Sequence, residues 1–371
     1  MSENVMDKIV SLCKRRGFIF PGSEIYGGLG GTWDYSTLGA LMRDNIRTAW
    51  KKRFIWGRSD MEYVEGATLM ARRVWEASGH AAGFNDLLVE CKKCHERFRA
   101  DHLTPPFPPL SKGGLGGVTK GKLPKCPQCK AVDWTEPRDF NMMFETYVGP
   151  IKEEDRKTYL RPETAQSMFT NFKNVVDSSR RKPPFGIAQI GRCFRNEIQT
   201  GNFIFRSREF EIAEIEYFVP IRSAASNGIP EDEKWFDHWV DEWEAFFWSL
   251  GIRKENIRRE EIAKKSLAHY SKRTIDLHYK FPFGWDEIAG IANRTDFDLK
   301  RHIEYSGKDL MYKDAVTQEK YVPYVIEPTL GIDRAFVACL IDAYDEVEGG
   351  RSTTTEANKE VETVLRLHKA I

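Results

Sequence analysis

The run Gly191–Phe218, GRCFRNEIQTGNFIFRSREFEIAEIEYF, constrains the fold more than any other stretch of the chain. Segments rich in β-branched and aromatic residues flank a turn around Thr200-Gly201-Asn202, so the run reads as a hairpin with a longer loop. The two-residue period of a strand places Arg195 and Glu197 on one face. It likewise places Phe210, Glu214 and Glu216 on a common face of the return strand. A face mixing a guanidinium, carboxylates and an aromatic ring is a poor core face. It suits a charged, planar ligand, because arginine forks onto phosphate or carboxylate and phenylalanine stacks on a base. A solvated face with cross-strand ion pairs is the competing reading, and these residues alone leave both open.

Other strand-like stretches are Phe185–Ile190, Cys193–Ile198, Arg208–Val219, Thr274–Tyr279 and Tyr321–Glu327. They follow one another in hairpin succession without regular βαβ alternation, which predicts an α+β fold built on an antiparallel sheet. Apolar spacing predicts helices through Leu38, Leu41, Met42, Ile46, Ala49 and Trp50, and through Trp235, Trp239, Val240, Trp243, Phe246, Phe247 and Leu250. A third runs through Ile332, Ala335, Phe336, Cys339, Leu340 and Ala343, leaving Asp333 and Arg334 off the stripe. A fourth is expected over Thr164–Val176, with Pro162 suited to its first turn and Glu163 complementing its dipole. No P-loop, HExxH or GxSxG is present, and the glycines of Tyr26–Thr32 do not fit GxGxxG.

Tyr321–Arg334, YVPYVIEPTLGIDR, holds a second constellation. The strand is expected to end at Glu327-Pro328, and the third helix to begin after Gly331, with Arg334 in its first turn. Backbone N–H groups there already favour anions, so an arginine opposes the usual preference. A phosphate contact explains it better than structure does.

Seven cysteines include two CxxC pairs, Cys91/Cys94 and Cys126/Cys129, separated by 31 residues. Two thiolate knuckles of this form suit tetrahedral Zn²⁺, while four reduced, unligated cysteines are the bland alternative. Between them Thr104–Lys122, TPPFPPLSKGGLGGVTKGK, is too rich in Pro and Gly for regular structure and reads as a mobile insert. Cys13, Cys193 and Cys339 sit in apolar settings and are expected in the core. The 371 residues suffice for two or three domains, and 41% hydrophobic with 30% charged residues describes a globular chain. A net charge of +1 excludes a globally basic nucleic-acid coat but not a local patch. No apolar run approaches the ~20 residues of a membrane span, and the N-terminus lacks a signal pattern, so no membrane association and a cytoplasmic location are expected.

Together these segments resemble the class II aminoacyl-tRNA synthetases. Phe194–Glu197 (FRNE) with Arg208–Phe210 (REF) looks like motif 2, and Gly331–Arg334 (GIDR) like motif 3. The likeness narrows to glycyl-tRNA synthetases of the homodimeric bacterial type. It is carried by RGFIFPGSEIYGGLGGTWDY (16–35), VWEASGH (74–80), FRADH (98–102), YLRPETAQ (159–166), PFGIAQIG (184–191), FPFGW (281–285), ANRTDFDL (292–299) and PYVIEP (323–328).

The resemblance implies a class II synthetase-like antiparallel sheet flanked by helices, with a zinc-ribbon-like insertion. It implies a first part of the catalytic core over 1–88, the insertion over 89–135 with its flexible segment 104–122, the core with motifs 2 and 3 over 136–348, and a C-terminal linker and short helix over 349–371. It also implies the two-step reaction of a glycine–tRNA ligase. ATP and glycine form glycyl-adenylate with loss of pyrophosphate, and glycine passes to the 3′ end of tRNA(Gly). Arg195 and Arg334 would be catalytic. Asn196, Glu197, Phe205, Arg208, Phe210, Glu287, Ile288 and Gly331 would join them in binding ATP, with Mg²⁺ bridging phosphates near Glu287. Glu163, Glu214 and Glu327 would surround the glycine ammonium, with Arg99, Arg294 and Thr329 completing the glycine site. Cys91, Cys94, Cys126 and Cys129 would hold a structural Zn²⁺, and the partner of the chain would be a second copy. The family usually has Ser where Thr329 stands, Gly-Pro where Ser36-Thr37 stands and Gly where Asp286 stands. These departures motivate a second reading, a non-catalytic synthetase-like RNA-binding or interaction module. Relatives continue after motif 3 into an anticodon-binding domain that this sequence does not include, so adenylate formation is expected to survive and tRNA charging to be weak. The basic stretches Arg43, Arg47, Lys51, Lys52, Arg53, Arg58 and Arg180, Arg181, Lys182 read more as solvated faces than as tRNA contacts.

Overall fold

The computed structural model describes residues 5–103, 123–221, 229–348 and 361–371; the insert 104–122 and the polar stretch 349–360 lie outside them. Its centre is a seven-stranded sheet made of β1 (Met61–Tyr63), β2 (Phe185–Phe194), β3 (Glu209–Val219), β4 (Ile257–Glu261), β5 (Arg273–Phe281), β6 (Gly284–Thr295) and β7 (Tyr324–Gly331). The spatial order is β4-β5-β6-β7-β3-β2-β1. Every neighbouring pair is antiparallel except the short edge strand β1, which runs parallel to β2.

The helices that matter to the site are α1 (Val5–Arg16), α2 (Thr37–Lys51), α3 (Ala165–Ser179), α4 (Glu231–Ser249), α5 (Phe297–Ser306) and α6 (Ile332–Ala343). α4 starts behind Pro230 with Glu231, Asp232 and Glu233 in its first turn, where carboxylates offset the helix dipole. It lays Trp239, Trp243, Phe246 and Phe247 against Ala213, Ile215 and Tyr217 of β3, in the same core cluster as Phe336 and Leu340 of α6. The tryptophan stripe is therefore core, and Cys13, Cys193 and Cys339 are buried as well. α3 covers part of the opposite face, packing Phe169 and Phe172 on Phe185, Ile187 and Phe218. The same face of β3 also bears Phe210 and Glu214.

Several local expectations are corrected. β2 is one strand rather than two, and it passes straight through Gly191, where a Cβ would lie 2.3 Å from Arg161 Nη2. It stops at Phe194, so Arg195 and Glu197 belong to the loop and not to a strand face. β7 does not end at Pro328 but runs to Gly331. Proline has no N–H to give, and the pairing with β3 accordingly passes from Tyr217↔Ile326 to Glu214↔Thr329 with a gap between. Pro162 and Glu163 precede α3, whose cap is Thr164, rather than forming its first turn. Strand β6 shows no clear period in the sequence because Gly284, Asp286, Glu287, Gly290 and Asn293 interrupt its apolar run.

The C-terminal segment is a strand, Val361–Leu365, paired with Tyr344–Glu348, and not the short helix expected. A helix of about ten residues is marginal in isolation, and β-branched Val361, Thr363 and Val364 suit the open edge they meet. The basic stretches are also reassigned. Arg43 is buried against Glu211 and Asp333, Arg53 pairs with Glu242, Arg58 with Asp60 and Arg181 with Glu62. Arg43 is an internal strut, the other three are partly exposed ion pairs, and Lys52, Arg180 and Lys182 are exposed as a solvated face requires. Residue Leu41, read as part of an apolar face turned inward, is 59% exposed, and Leu38 beside it is exposed too.

Candidate functional site

The loop between β2 and β3 brings the motif 2 residues over the open end of the sheet. Its turn uses left-handed Asn202 and Phe203, and the 3₁₀ turn Phe203–Phe205 drives three apolar side chains into the core, which anchors the loop. The guanidinium of Arg195 lies between two rings, 5.4 Å from the centroid of Phe84 and 5.3 Å from that of Phe210. Its Nε donates to Pro162 O at 3.3 Å, which leaves most of its fork for an anion. The amide of Asn196 donates to Met142 O at 2.8 Å. Arg208 donates to the carbonyls of Gly30 and Glu197, tying the glycine-rich segment to the loop. Glu197 is buried, and its Oε2 has no protein partner among the described residues. A buried orphan acceptor is costly unless a ligand donor meets it, which is the requirement an adenine amino group satisfies.

Arg334 projects from the first turn of α6, as expected. Its Nη1 donates to Glu287 O at 2.7 Å, its carboxylate contact with Glu287 is 3.3 Å, and its guanidinium lies 4.3 Å from the centroid of the Phe205 ring. Packing around Glu287 disfavours its charge, but Arg334 and Arg195 outweigh this and hold it below the ordinary carboxylate range. Half-exposed and ionised, that carboxylate fits a Mg²⁺ that keeps most of its ligands from phosphate and water. Ile288 beside it is buried, and Gly331 leaves room next to the Arg334 stem.

The second half of the site is acidic. Glu214 on β3 accepts from the Thr164 amide at 2.7 Å and from the Thr164 hydroxyl, and Thr329 Oγ1 reaches its other oxygen at 3.5 Å. Thr329 thus keeps a hydroxyl on the pocket despite its extra methyl. Glu163 is held between His80 Nε2, 3.1 Å away, and Gln166 Nε2 at 2.9 Å. Burial works against its charge, yet His80 and Arg294 hold it well below the usual carboxylate range. Glu327 accepts from Arg294 Nη1 at 2.7 Å. Burial pushes it up to about 8 even so, with Glu214 and Glu163 adding to the rise against Arg294. Arg294 itself is 1% exposed and forks onto Asp298 at 2.8 and 2.9 Å, with Tyr270 stacked 4.0 Å from its carbon. Three of its five N–H donors are thus engaged by protein carboxylates, and it braces Asp298 and Glu327. Arg99 is presented from the insertion, on strand Arg97–Arg99, 2.9 Å from Asp86.

Residues that sequence reasoning does not assign complete this network. Ser78 supports His80 at 2.8 Å, His302 meets Gln166 at 2.8 Å, and Gln166 also donates to Asp298 at 3.0 Å. His80, Gln166 and Asp298 all stand in segments that carry the resemblance, but only their contacts reveal their role. On the other face, Asp333, expected off the buried stripe, is buried. It accepts from Tyr35 and from the Glu211 amide at 2.7 Å, and joins Arg43 of α2 to the start of α6.

The insertion is a small unit of its own. Strands Asn85–Glu90, Arg97–Arg99 and Arg138–Asn141 form a sheet around Val89, Phe98 and Trp134. Each CxxC pair makes the same turn. His95 and Lys130, each just past its second cysteine, are left-handed and donate N–H to Cys91 O and Cys126 O. The four sulfurs lie within 4.8 Å of one another. Sulfurs at about 2.3 Å from one tetrahedral ion stand in that range, so the donor set fits Zn²⁺.

The fold and this site define a class II tRNA synthetase core. Residues 144–344 match the family described as "tRNA synthetase class II core domain (G, H, P, S and T)". The chain is 49% identical to the Glycine--tRNA ligase of Caldanaerobacter subterraneus subsp. tengcongensis, over 99% of this chain and 78% of that protein. It is 47% identical to the Glycine--tRNA ligase of Alkaliphilus oremlandii, over 100% and 79%. For that of Geobacillus kaustophilus the figures are 48%, 99% and 78%. The fold is similar to a prolyl-tRNA synthetase structure from Cryptosporidium parvum, complexed with halofuginone and AMPPNP, at a TM-score of 0.60 and 11% identity, covering 91% of this chain and 52% of that one. The chain belongs to the glycine–tRNA ligase family.

Proposed function

We propose that this chain is a glycine–tRNA ligase that activates glycine with ATP and transfers it to the 3′ end of tRNA(Gly). The observation that carries the reading is the buried cluster of Glu163, Glu214 and Glu327 around Arg294, together with the Arg195 and Arg334 guanidiniums that both act on Glu287. The carboxylates suit the glycine ammonium. A carboxylate oxygen of glycine attacks the α-phosphorus, the bond to the β-phosphate oxygen breaks, and pyrophosphate leaves. Arg195 meets the negative charge that builds on the α-phosphate, a contact worth most in the transition state. Phe210 stacks on adenine, Glu197 accepts from its amino group, and Arg334 holds the γ-phosphate of a bent ATP. A terminal ribose hydroxyl of the tRNA then attacks the glycyl carbonyl, releasing AMP. Glu287 would hold Mg²⁺, which would supply charge neutralisation along the phosphates. A non-catalytic interaction module is disfavoured, because it has no use for an orphaned buried Glu197 or for two forked arginines at one opening.

Glycine-dependent exchange of pyrophosphate into ATP tests the reading, and a folded protein with no such exchange overturns it. The exchange should also depend on pH in a set direction. Glu327 takes up a proton as pH falls through about 8, and a neutral carboxyl attracts an ammonium less. The glycine KM is therefore expected to fall as pH rises from 6 towards 8, while the ATP KM changes little.

The four-cysteine cluster would hold Zn²⁺ as a structural ion. Chelation, or Cys91→Ser, is expected to lower the melting temperature of the insertion without removing adenine binding, and unchanged melting would refute a bound metal. A second copy of the chain is the partner suggested by Leu38 and Leu41 of α2 with Ile25, Tyr26 and Leu29, all exposed apolar residues near one another in sequence. Sedimentation velocity should show a dimer at micromolar concentration, and a monomer there would exclude it. No helix among the described residues is long and apolar enough to cross a membrane. A cytoplasmic site of action, where translation substrates are found, completes the reading.

A further inference from the structure

Glu216 shares the ligand-suited strand face of Phe210 and Glu214, yet the reaction as proposed gives its carboxyl no role. It sits on β3 two residues after Glu214, on the same sheet face, and is fully buried. The register that sets Glu214 against Thr329 and Tyr217 against Ile326 brings Glu216 opposite Glu327. On its other side it pairs with Ile187 of β2, whose side chain joins Phe218 and Phe169 in the apolar cluster under α3. Neither of its carboxyl oxygens has a protein hydrogen-bond partner among the described residues.

An ionised carboxylate in that position has no counter-charge of its own. Glu214 precedes it on β3, Glu327 faces it from β7, and Glu163 stands before α3. Asp298 of α5 is also within reach but is forked by Arg294 of β6, which shares its remaining donor with Glu327. His302 of α5 is turned to Gln166. These carboxylates already outnumber the Arg294 guanidinium and the His80 ring. An isolated buried charge costs several kcal/mol by desolvation alone, so the group avoids it by keeping its proton.

We propose that Glu216 is the permanently neutral member of the acidic pocket: a carboxylic acid that keeps its proton through and above the range in which Glu327 titrates, and so adds no charge to the face that meets the substrate ammonium. The proposal rests on reading the Glu163, Glu214 and Glu327 cluster as the glycine site. A neutral acid opposite Glu327 adds no charge to it, whereas an ionised one would hold the Glu327 proton to still higher pH. Burial, Glu327 and Glu214 all displace the Glu216 equilibrium in the same direction, well above an ordinary glutamate, with Arg294 opposing.

The sign of the linkage is then determined. From the ordinary glutamate pKa upward, the unfolded chain has lost this proton while the folded chain keeps it, so the group costs more stability as pH rises. Glu216→Gln, isosteric and permanently neutral, removes that cost. Its melting temperature relative to the wild type is expected to move upward by roughly 5 °C between pH 5.5 and pH 8. Glu216→Leu, which matches the Ile187 and Phe218 neighbours, should show the same trend and serves if the glutamine variant does not fold. Difference infrared spectra should show a protonated-carboxyl C=O band at pH 7 that is lost from the wild type to the variant. A melting difference independent of pH, or a glycine KM raised about 100-fold at pH 7, would overturn the proposal, the latter being the mark of a lost ionised ammonium ligand. If the wild type shows no glycine-dependent exchange the functional reading fails, while the melting and infrared results still decide the state of Glu216.

Discussion

Replacing Arg294 by methionine is expected to lower the unfolding free energy by roughly 3–5 kcal/mol, the usual cost of stripping one partner from a buried ion pair. The reason is specific to its surroundings. The guanidinium is 1% exposed and serves Asp298 with two bonds and Glu327 with a third, so its loss leaves two carboxylates in a low-dielectric pocket without compensation. Glu327, already raised to about 8, would lose the one charge that opposes the rise and keep its proton to higher pH, so the gain in glycine binding expected as pH approaches 8 would be lost. Differential scanning calorimetry should show a fall in melting temperature on the order of 10 °C. Arg294→Lys should recover only part of this, because an ammonium cannot fork onto Asp298 and still reach Glu327. A methionine variant that melts with the wild type would mean that the carboxylates find another counter-charge, and Arg294 would not be their strut.

Arg195→Ala should spare the fold and strike the chemistry. The side chain rests between the rings of Phe84 and Phe210 and makes one weak bond, to Pro162 O, so its removal opens no unpaired core group. If it meets charge that develops only as the glycine carboxylate attacks, kcat for pyrophosphate exchange should drop by about 10²–10³ with a smaller change in the KM for ATP. Arg334→Ala should divide differently, raising the ATP KM as well, because a γ-phosphate contact exists before the reaction begins. Exchange by Arg195→Ala at a rate close to the wild type's would remove Arg195 from the reacting centre.

Part of this site is legible in the chain. FRNE with REF marks the hairpin, GIDR marks an arginine at a helix start, and two CxxC pairs mark a metal-sized knot. All three depend on short-range spacing, which a sequence displays directly. The strand period nonetheless puts Arg195 and Glu197 on a strand face that does not exist, since nothing local shows that β2 ends at Phe194. The resemblance has Arg294 binding substrate, and only the fold shows that three of its five donors brace Asp298 and Glu327. The basic run in and after α2 looks like a surface patch, but its arginines reach carboxylates distant in sequence, such as Glu211, Glu242 and Asp333. A side chain's partners are set by which strands and helices become neighbours, and that is not a local property.

The class of architecture, the family resemblance, the cysteine quartet and the residue types available for ATP and glycine can all be read from the chain. Periodicity and motif spacing suffice for these because they are written along the backbone. Folding was needed to show which carboxylates share the recess, that Arg294 is a strut, that His80 and Gln166 fix Glu163, and that Glu216 is buried without a partner. Charge state and role follow from burial and from the sign of the nearest neighbours. Such neighbours can be far apart in the chain: Gln166 and His302 are separated by 136 residues and meet only when the sheet is complete.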